Sequence, residues 1–244
     1  MTDFSLEKFL KEYNAADYLR PNFSFDNVIY TVQKNTLYVL LVKRAEHPFL
    51  GEWSLVGGFI DVKNDVNLEA AAMRKLKEKT GVCTPYLEQF ETIGNNMRDP
   101  RGWSVSTAYF ALIPFQEISY VYGNDVQDIK WSEVVEGEVS ETLAFDHAQI
   151  LLRCTTRLRA KVLYTSLPIY LLPECFTLGE LQRVYETILG HKIDAKSFRR
   201  RMLSADILDP VNEMRYESKR PAQLYRAKKQ EGSHFFRRNM EKFF

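Results

Sequence analysis

A glycine pair and the helix-forming run after it set the narrowest limits on the fold of this chain. Gly57 and Gly58 precede residues 67–80, which are rich in Ala, Leu, Met, Lys and Glu, and Gly81 stops that run as a helix C-cap does. Residues 145–164 have the pattern of a second, longer helix. Strand-like runs surround both, at residues 28–32, 37–43, 87–93, 104–113 and 126–131. We therefore predict that the first part of the chain is an α+β domain with a mixed sheet, entered by a hairpin that turns at residues 33–36. In this interpretation the glycine pair itself is a loop.

The charge of the chain is unevenly distributed. Its 33 Lys and Arg against 32 Asp and Glu give a formal net charge of only +1. Residues 151–244, however, hold 19 basic and 10 acidic residues, a charge of +9, which leaves −8 for residues 1–150. A hydrophobic content of 45% excludes a disordered chain, so we expect an acidic and a basic folded domain, with a polyanion near the second.

The sequence offers no sign of a metal centre or of secretion. Cys83, Cys154 and Cys175 are odd in number and far apart, and the four histidines stand singly, so we predict neither a disulfide framework nor a zinc site. The N-terminus lacks the basic and apolar regions of a signal peptide, and no apolar run approaches the roughly 18 residues of a membrane span. We expect a cytoplasmic protein without membrane contact. Apolar residues at helical spacing from Leu6 to Tyr13 predict a short amphipathic N-terminal helix that packs on its own domain or on a partner subunit.

The basic half has the order of elements of a winged helix-turn-helix. Thr177, with Glu180 three residues later, has the form of a capping box and opens a helix that ends at Gly190. Asp194 can cap a second helix over residues 195–203, in which Phe198, Met202 and Leu203 face the core and the basic residues stay exposed. Two short strands, residues 213–216 and 222–226, flank a basic hairpin tip that contains Lys219 and Arg220. Such a second helix enters the major groove of DNA. A domain whose basic residues serve only solubility, or a surface that contacts RNA, are the alternatives.

The segment from Gly58 to Val82 resembles the Nudix box. In that family, glutamates along one helix face hold Mg²⁺ against a diphosphate. Arg74, Glu78 and Gly81 match the family pattern, but lysines stand at positions 75 and 79, where the pattern has metal-binding glutamates, and Val66 replaces the upstream one. An ammonium at such a position removes a ligand and repels the cation, so we predict the fold without efficient hydrolysis, with no catalytic and no metal-binding residues. Glu78 either keeps weak metal affinity or pairs with Arg74 one turn away.

A polar loop, residues 94–103, lies between two predicted strands. Its arginines, amides and Trp103 suit a ligand with phosphates and a base, although from composition alone an ordinary polar turn explains it equally well. In Nudix proteins that act on ADP-ribose, a loop with this Arg-Asp-Pro-Arg-Gly sequence lies near the ligand. The resemblance therefore implies a nucleoside diphosphate sugar, with ADP-ribose as the leading candidate.

The whole chain resembles the Nudix-related transcriptional regulators (NrtR), which join a Nudix-like effector domain to a winged helix-turn-helix. The match is carried by residues 47–51, 57–61, 98–103, 144–147, 176–178, 197–201 and 220–225. We thus expect a Nudix-fold α/β/α sandwich with a mixed sheet, followed by a small winged helix-turn-helix domain. The expected divisions are an N-terminal helix in residues 1–20, the Nudix-like domain in 21–160 and the DNA-binding domain in 161–244.

The resemblance implies a homodimeric repressor of NAD synthesis or salvage genes that binds a palindromic double-stranded DNA operator and is released by ADP-ribose or a related metabolite. No cofactor is expected. The expected effector site comprises Arg44, Gly58, Phe59, Arg74, Glu78, Arg98, Asp99, Arg101 and Trp103. The expected DNA-binding residues are Thr177, Lys196, Ser197, Arg199, Arg200, Arg201, Lys219 and Arg220. The helix of residues 145–164 and the connection 166–175 are predicted to link the two sites. An active ADP-ribose pyrophosphatase with a basic accessory domain, a sugar-responsive regulator, and an RNA-binding or scaffold protein are the alternatives.

Overall fold

A computed structural model describes residues 5–115, 125–216, 221–228 and 232–236. The strands of the first part are β1 Asn22–Gln33, β2 Thr36–Arg44, β3 Trp53–Ser54, β4 Val56–Phe59, β5 Tyr86–Asn95, β6 Ser104–Leu112 and β7 Val126–Glu133. Its α-helices are α1 Leu6–Glu12, α2 Leu68–Thr80 and α3 His147–Val162. The second part contains β8 Phe176–Thr177, α4 Leu178–Leu189, α5 Ala195–Ser204, β9 Leu208–Arg215 and β10 Ala222–Ala227. Short 3₁₀ helices lie at Ala15–Asp17 and Leu167–Leu171.

The strands of the first part form the mixed sheet that the sequence predicts. Its order is β3-β2-β1-β6-β5, with β7 beside β2 and β4 beside the first half of β1. The pairing of β1 with β6 is parallel and the other pairings are antiparallel. Because β1 is 12 residues long, it pairs with β4 near its start and with β2 near its end.

Helices cover both faces of this sheet. Successive side chains of a strand point to opposite faces, and the buried residues of β1 divide accordingly. Val28 and Tyr30 belong to the same apolar cluster as Leu151 and Leu158 of α3, whereas Ile29 packs in a cluster with Leu76 of α2. The result is the expected α/β/α sandwich.

The prediction of a loop at Gly57 and Gly58 is wrong, because both residues lie in β4 and pair with β1. The close approach explains the glycine. A Cβ atom at Gly57 would lie 2.3 Å from Asp26 Oδ1 and 2.4 Å from the Phe25 carbonyl oxygen, distances that no side chain tolerates. The absence of a side chain is thus what brings β4 against β1 here.

Local signals place the helix ends well. The Asn67 side chain accepts a hydrogen bond from the Ala70 amide at the start of α2, and Gly81 ends the helix with a φ of 69°. The third helix begins at His147 and not at Phe145 as predicted, since Phe145 has a φ of 56°, outside the right-handed helical region.

The predicted N-terminal helix forms, but the described part of the chain does not bury it. Ser5 caps α1, and none of its residues is buried. Leu6 is 71% exposed and Leu10 is 60% exposed. The packing partner of this helix, its own domain or a partner subunit, therefore stays a prediction.

The second part packs directly on the first. Buried residues of α4 and α5, among them Tyr185 and Phe198, continue the apolar cluster that contains Leu158 of α3. The strand predicted at 213–216 begins earlier, because β9 pairs with β10 from Leu208 onward. Leu203 was expected in the core, yet it is 42% exposed: it follows buried Met202 by one position, which turns it about 100° away around the helix. Within the residues described, no helix is both long and apolar enough to traverse a membrane.

Candidate ligand site and candidate nucleic-acid interface

A cavity of about 290 Å³ opens where β1, β4, the loop after β5 and the segment before α3 meet. The structure brings six of the nine expected effector residues to its walls: Arg44, Gly58, Phe59, Arg98, Asp99 and Arg101. Arg74, Glu78 and Trp103 do not line it. The walls also include Asp26, Lys75, Lys79, Asp125, Phe145 and His147, which the sequence did not single out as ligand residues.

Arg98 is held between two carboxylates at the inner end of the cavity. Its Nη2 lies 2.9 Å from Asp146 Oδ1 and 3.3 Å from Asp26 Oδ2, and its Nε lies 3.1 Å from Asp146 Oδ2. The Arg98 side chain is only 5% exposed. Most of its donors are therefore used within the protein, and its main part is to fix the loop 94–103 to β1 and to the start of α3.

His147 completes this buried cluster. Its Nδ1 accepts a hydrogen bond of 3.0 Å from the Leu55 amide, which leaves Nε2, 3.3 Å from Asp26 Oδ1, as the donor to that carboxylate. Burial raises the pKa of Asp26, but His147, the Ser106 hydroxyl and Arg98 together lower it far below its ordinary value. Asp26 is thus a charged anchor at neutral pH that connects the sheet, the loop and α3.

Aromatic rings and two guanidinium groups form the outer part of the cavity. Arg101 makes a two-bond ion pair with Asp99, at 3.0 and 2.7 Å, and its guanidinium lies 4.9 Å from the ring centre of Phe59 and 6.0 Å from that of Phe145. Arg44 lies 5.0 Å from the Phe145 ring centre. Burial, with the positive charge of Arg101 nearby, lowers the pKa of Arg44. Two guanidinium groups this close favour an anionic ligand, and the rings offer stacking surfaces for a base.

The α2 side of the cavity is basic. Lys75 and Lys79 are one helical turn apart and both face the cavity. Lys79 Nζ lies 2.7 Å from Asp125 Oδ2, and Lys75 Nζ lies 2.9 Å from Glu78 Oε2. The sequence signal that could have identified these lysines as ligand residues was their position in the Nudix-like box.

Arg74 and Glu78 serve the structure of α2. Arg74 binds both carboxylate oxygens of Asp65, at 2.7 and 2.6 Å, and both of Glu78, at 3.1 Å. The hydrogen bond from Arg74 lowers the pKa of Asp65 to about 2. The geometry therefore matches the pairing alternative for Glu78, although that residue is half-exposed and not buried. Trp103 packs its ring over Gly94, where a Cβ atom would lie 3.0 Å from the ring, so it shapes β5 and β6 outside the cavity.

These residues do not fit a divalent cation. Magnesium prefers oxygen ligands in octahedral geometry, and across the described ranges no three His, Cys, Asp or Glu side chains are grouped as metal ligands. Glu78 and Asp125 are already paired with Lys75 and Lys79, whose ammonium groups would repel a cation in the cavity that both lysines line.

The helix-turn-helix has the predicted caps. Thr177 and Glu180 form the reciprocal capping box, and Asp194 accepts a hydrogen bond from the Ser197 amide at the start of α5. Because Thr177 is 8% exposed and its hydroxyl takes part in the cap, its role in the structure is to hold α4. Glu180 also pairs with Arg215 of β9, which ties the wing to α4.

The second helix presents most of the expected basic residues outward. Lys196, Ser197, Arg199 and Arg200 are exposed, while Phe198 and Met202 anchor the other face. Arg201 differs: its Nη2 donates to the Leu163 carbonyl at 3.1 Å and its guanidinium lies 4.5 Å from the Phe236 ring centre. It therefore fastens α5 to the connection after α3. Lys219 and Arg220 lie outside the described residues.

A groove of about 670 Å³ lies between α4, α5 and the wing. Arg183 of α4 and Arg199 of α5 line it, opposite Gln223 of β10. Neither Arg183 nor Gln223 was expected as a DNA-binding residue. An open groove with two exposed guanidinium groups suits a nucleic-acid backbone.

The third helix connects the two candidate sites. Its first residues, Asp146 as the N-cap and His147, belong to the buried cluster of the cavity. Near its other end, Arg159 Nε donates to the Ile188 carbonyl of α4 at 3.1 Å, and the Tyr185 hydroxyl donates to the Thr165 carbonyl at 2.8 Å. The third helix and the segment after it thus contact the cavity cluster at one end and α4 at the other.

Comparison with known proteins agrees with this architecture. A NUDIX domain model matches residues 22–164, and a model of the NrtR DNA-binding winged helix domain matches residues 168–227. A curated protein of Acinetobacter baylyi, the ADPR responsive transcriptional repressor NtrR, is 45% identical over 242 residues, which cover 98% of this chain and 95% of that protein.

Two solved structures from Shewanella oneidensis are also similar. NrtR complexed with a 27mer DNA has a TM-score of 0.78 at 47% identity, over 84% of this chain and 93% of that one. The NUDIX domain of the same NrtR complexed with ADP ribose has a TM-score of 0.60 at 42% identity, over 63% of this chain and 99% of that one. A Nudix sandwich joined to a winged helix, with similarity along almost the whole length, places this chain in the NrtR family of Nudix-related transcriptional regulators.

Proposed function

We propose that this chain is a transcriptional repressor of NAD synthesis or salvage genes, acting in the cytoplasm, whose Nudix-like domain senses ADP-ribose or a related NAD metabolite. The observation that carries the proposal is the run of contacts along α3, from Asp146 and His147 at the cavity to Arg159 on α4. The name of the Acinetobacter relative and the ligand of the Shewanella NUDIX domain support both the role and the effector.

The proposed DNA complex is a homodimer on a palindromic operator. The α5 helix of each copy enters the major groove at half-sites about one helical turn, roughly 34–36 Å, apart. Lys196, Arg199 and Arg200 are exposed on that helix and supply its contacts. Lys219 and Arg220 of the wing are proposed to bind the neighbouring phosphates.

The Nudix-like domain is proposed to bind its ligand without hydrolysing it efficiently and without a required cofactor. Lys75 and Lys79 occupy positions at which the Nudix pattern has metal-binding glutamates, and Glu78 is paired with Arg74. Hydrolysis of a diphosphate by this family depends on a cation that those acids hold. The proposed activity is therefore recognition alone.

Release from DNA requires the ligand to bind one dimer geometry better than the other, because only a difference in affinity shifts an equilibrium. The ligand is proposed to contact Arg101, Phe59 and Phe145 and so to move the segment that leads directly into α3. The contact between Arg159 and Ile188 then changes the position of the helix-turn-helix relative to its partner copy.

Binding of the full chain to a selected palindromic duplex tests the proposal. We expect a preference of roughly 10³-fold or more over random DNA, and we expect ADP-ribose, but not adenosine, to release the duplex. Equal affinity for random DNA would point to a basic scaffold or RNA-binding protein. Release by a phosphorylated sugar alone would identify a sugar-responsive regulator. Formation of AMP from ADP-ribose and Mg²⁺ at an enzyme-like rate would favour the pyrophosphatase alternative.

A further inference from the structure

The charge of the cavity is opposite in character to that of the half of the chain that forms it. Residues 1–150 carry a formal charge of −8, yet the cavity walls carry five basic and four acidic side chains. Three of those acids are already bonded to basic neighbours, in the pairs Asp26 with Arg98, Asp99 with Arg101 and Asp125 with Lys79. The walls thus hold surplus donors for an anion and little free carboxylate for a cation.

Lys75 and Lys79 contribute a large part of these donors. The Lys79 side chain is 11% exposed and that of Lys75 is 28% exposed, so both ammonium groups are partly shielded from water. An ammonium has three N–H donors, and each of these groups is given one carboxylate partner, at 2.7 and 2.9 Å. Donors therefore remain on both groups for a ligand in the cavity.

The position of Lys75 is fixed by the strand beside it. A Cβ atom at Gly58 would lie 3.4 Å from Cδ and Cε of Lys75, so the lysine stem runs along the bare backbone of β4. Lys79 is fixed by its ion pair with Asp125, whose pKa burial raises and Lys79 lowers, with a net decrease. The two ammonium groups are consequently held in place before any ligand binds, which limits the entropy lost on binding.

We propose that Lys75 and Lys79 replace a divalent cation in ligand recognition: their ammonium groups neutralise the diphosphate of the bound ligand, so that binding needs no Mg²⁺. The inference rests on the proposed function, in which the ligand is ADP-ribose. It gives the two substitutions in the Nudix-like box a positive role in binding, beyond the loss of a metal site. Fixed cations also suit a sensor, since they cannot dissociate when the metal concentration changes.

Calorimetric titration of the full chain with ADP-ribose, in EDTA and then in Mg²⁺, tests the first part of the inference. We expect dissociation constants that agree within about twofold. Binding that EDTA abolishes and Mg²⁺ restores would overturn it. Absence of ADP-ribose binding in both buffers would instead overturn the proposed ligand, and this inference with it.

Substitutions test the second part of the inference, that the ammonium groups of Lys75 and Lys79 bind the diphosphate. All of these titrations are made in EDTA. Lys75→Met and Lys79→Met are each expected to weaken ADP-ribose binding by about tenfold or more, because each removes a charge-assisted hydrogen bond. Lys77→Met is the matched control, since Lys77 lies on the same helix, is exposed and does not line the cavity. Circular dichroism and thermal melting confirm that each variant folds. ADP-ribose affinities equal to that of Lys77→Met would refute the role of the lysines.

A charge-reversed variant gives an independent readout. Lys75→Glu with Lys79→Glu places carboxylates at both positions, and we expect this double variant to lose ADP-ribose binding in EDTA. Unchanged affinity of the folded double variant in EDTA would contradict the inference. Lys79→Arg keeps the charge and its pairing with Asp125, so it is expected to retain most of the affinity.

Discussion

Replacing Arg98 by methionine removes the guanidinium that lies between Asp26 and Asp146 and keeps an unbranched apolar side chain. The Arg98 side chain is 5% exposed, and those of the two acids are 8% and 15% exposed. Loss of one partner of a buried ion pair leaves uncompensated charge and costs about 3–5 kcal/mol. For a chain of this size, that cost lowers the melting temperature by about 6–20 °C.

Arg101→Met is the matched control, because Arg101 comes from the same loop and pairs with Asp99 at 2.7 Å. The Arg101 side chain is 41% exposed, so its removal lets water reach the Asp99 carboxylate, which is 6% exposed, and we expect a smaller loss of stability than for Arg98→Met. The two variants should show opposite patterns. Arg98→Met should mainly lower stability, whereas Arg101→Met should mainly weaken ADP-ribose binding.

Urea unfolding at pH 7, followed by circular dichroism, measures the stability difference. The protein concentration must be the same for each variant, since the proposed dimer would make apparent stability depend on it. A loss of free energy of unfolding no greater for Arg98→Met than for Arg101→Met would refute the structural assignment of Arg98.

Three further predictions concern the strand contact, the buried acid and the DNA-binding helix. Gly57→Ala should destabilise the chain by about 1–3 kcal/mol in urea unfolding, because the new methyl group would overlap Asp26 and the Phe25 carbonyl. An effect below about 0.5 kcal/mol would contradict the close contact between β4 and β1 at this residue. The pKa of Asp26 is lower in the folded chain than its unfolded value near 3.8, so the stability it provides is complete above pH 4 and is lost as the pH falls. Asp26→Asn should therefore be less stable than the unsubstituted chain at pH 7, and should lose less stability than that chain between about pH 4 and 2. Parallel curves of unfolding free energy against pH for the two proteins would refute this. Arg200→Ala should weaken operator binding and, if Arg200 contacts a phosphate, flatten the slope of log affinity against log salt concentration by roughly 0.9. The guanidinium of Arg201 is engaged with Phe236, so Arg201→Ala should leave that slope unchanged. Equal slopes for the two variants would remove Arg200 from the phosphate contacts.

Much of the fold follows from local sequence signals. Asn67 and Gly81 at the ends of α2, and Thr177 and Gly190 at the ends of α4, satisfy backbone groups within a few residues, so the sequence alone contains the interaction. The sequence predicted a loop at Gly57 because a glycine pair is equally consistent with a turn and with a close contact between strands. Its distance to Asp26 depends on a strand far earlier in the chain.

The candidate ligand site was predictable only in part. The arginines of the loop 94–103 stood out by residue type, but their different roles did not. Arg98 is buried against Asp26, which lies 72 residues away in sequence, while Arg101 stays at the cavity rim. Asp26 itself lies just before the strand-like run of residues 28–32 and belongs to no motif. Its role appears only when β1 lies beside the loop and the start of α3.

The sequence by itself determined the family, the order of elements and the unequal charge of the two halves, because each of these depends on residue type and spacing along the chain. Tertiary structure decided which side chains meet. It placed Lys75 and Lys79 in a cavity with Arg44 and Arg101, and it linked that cavity through α3 to the helix-turn-helix. The physical reason is that ion pairs and close packing act over a few ångströms in space, whatever the separation of their partners in sequence.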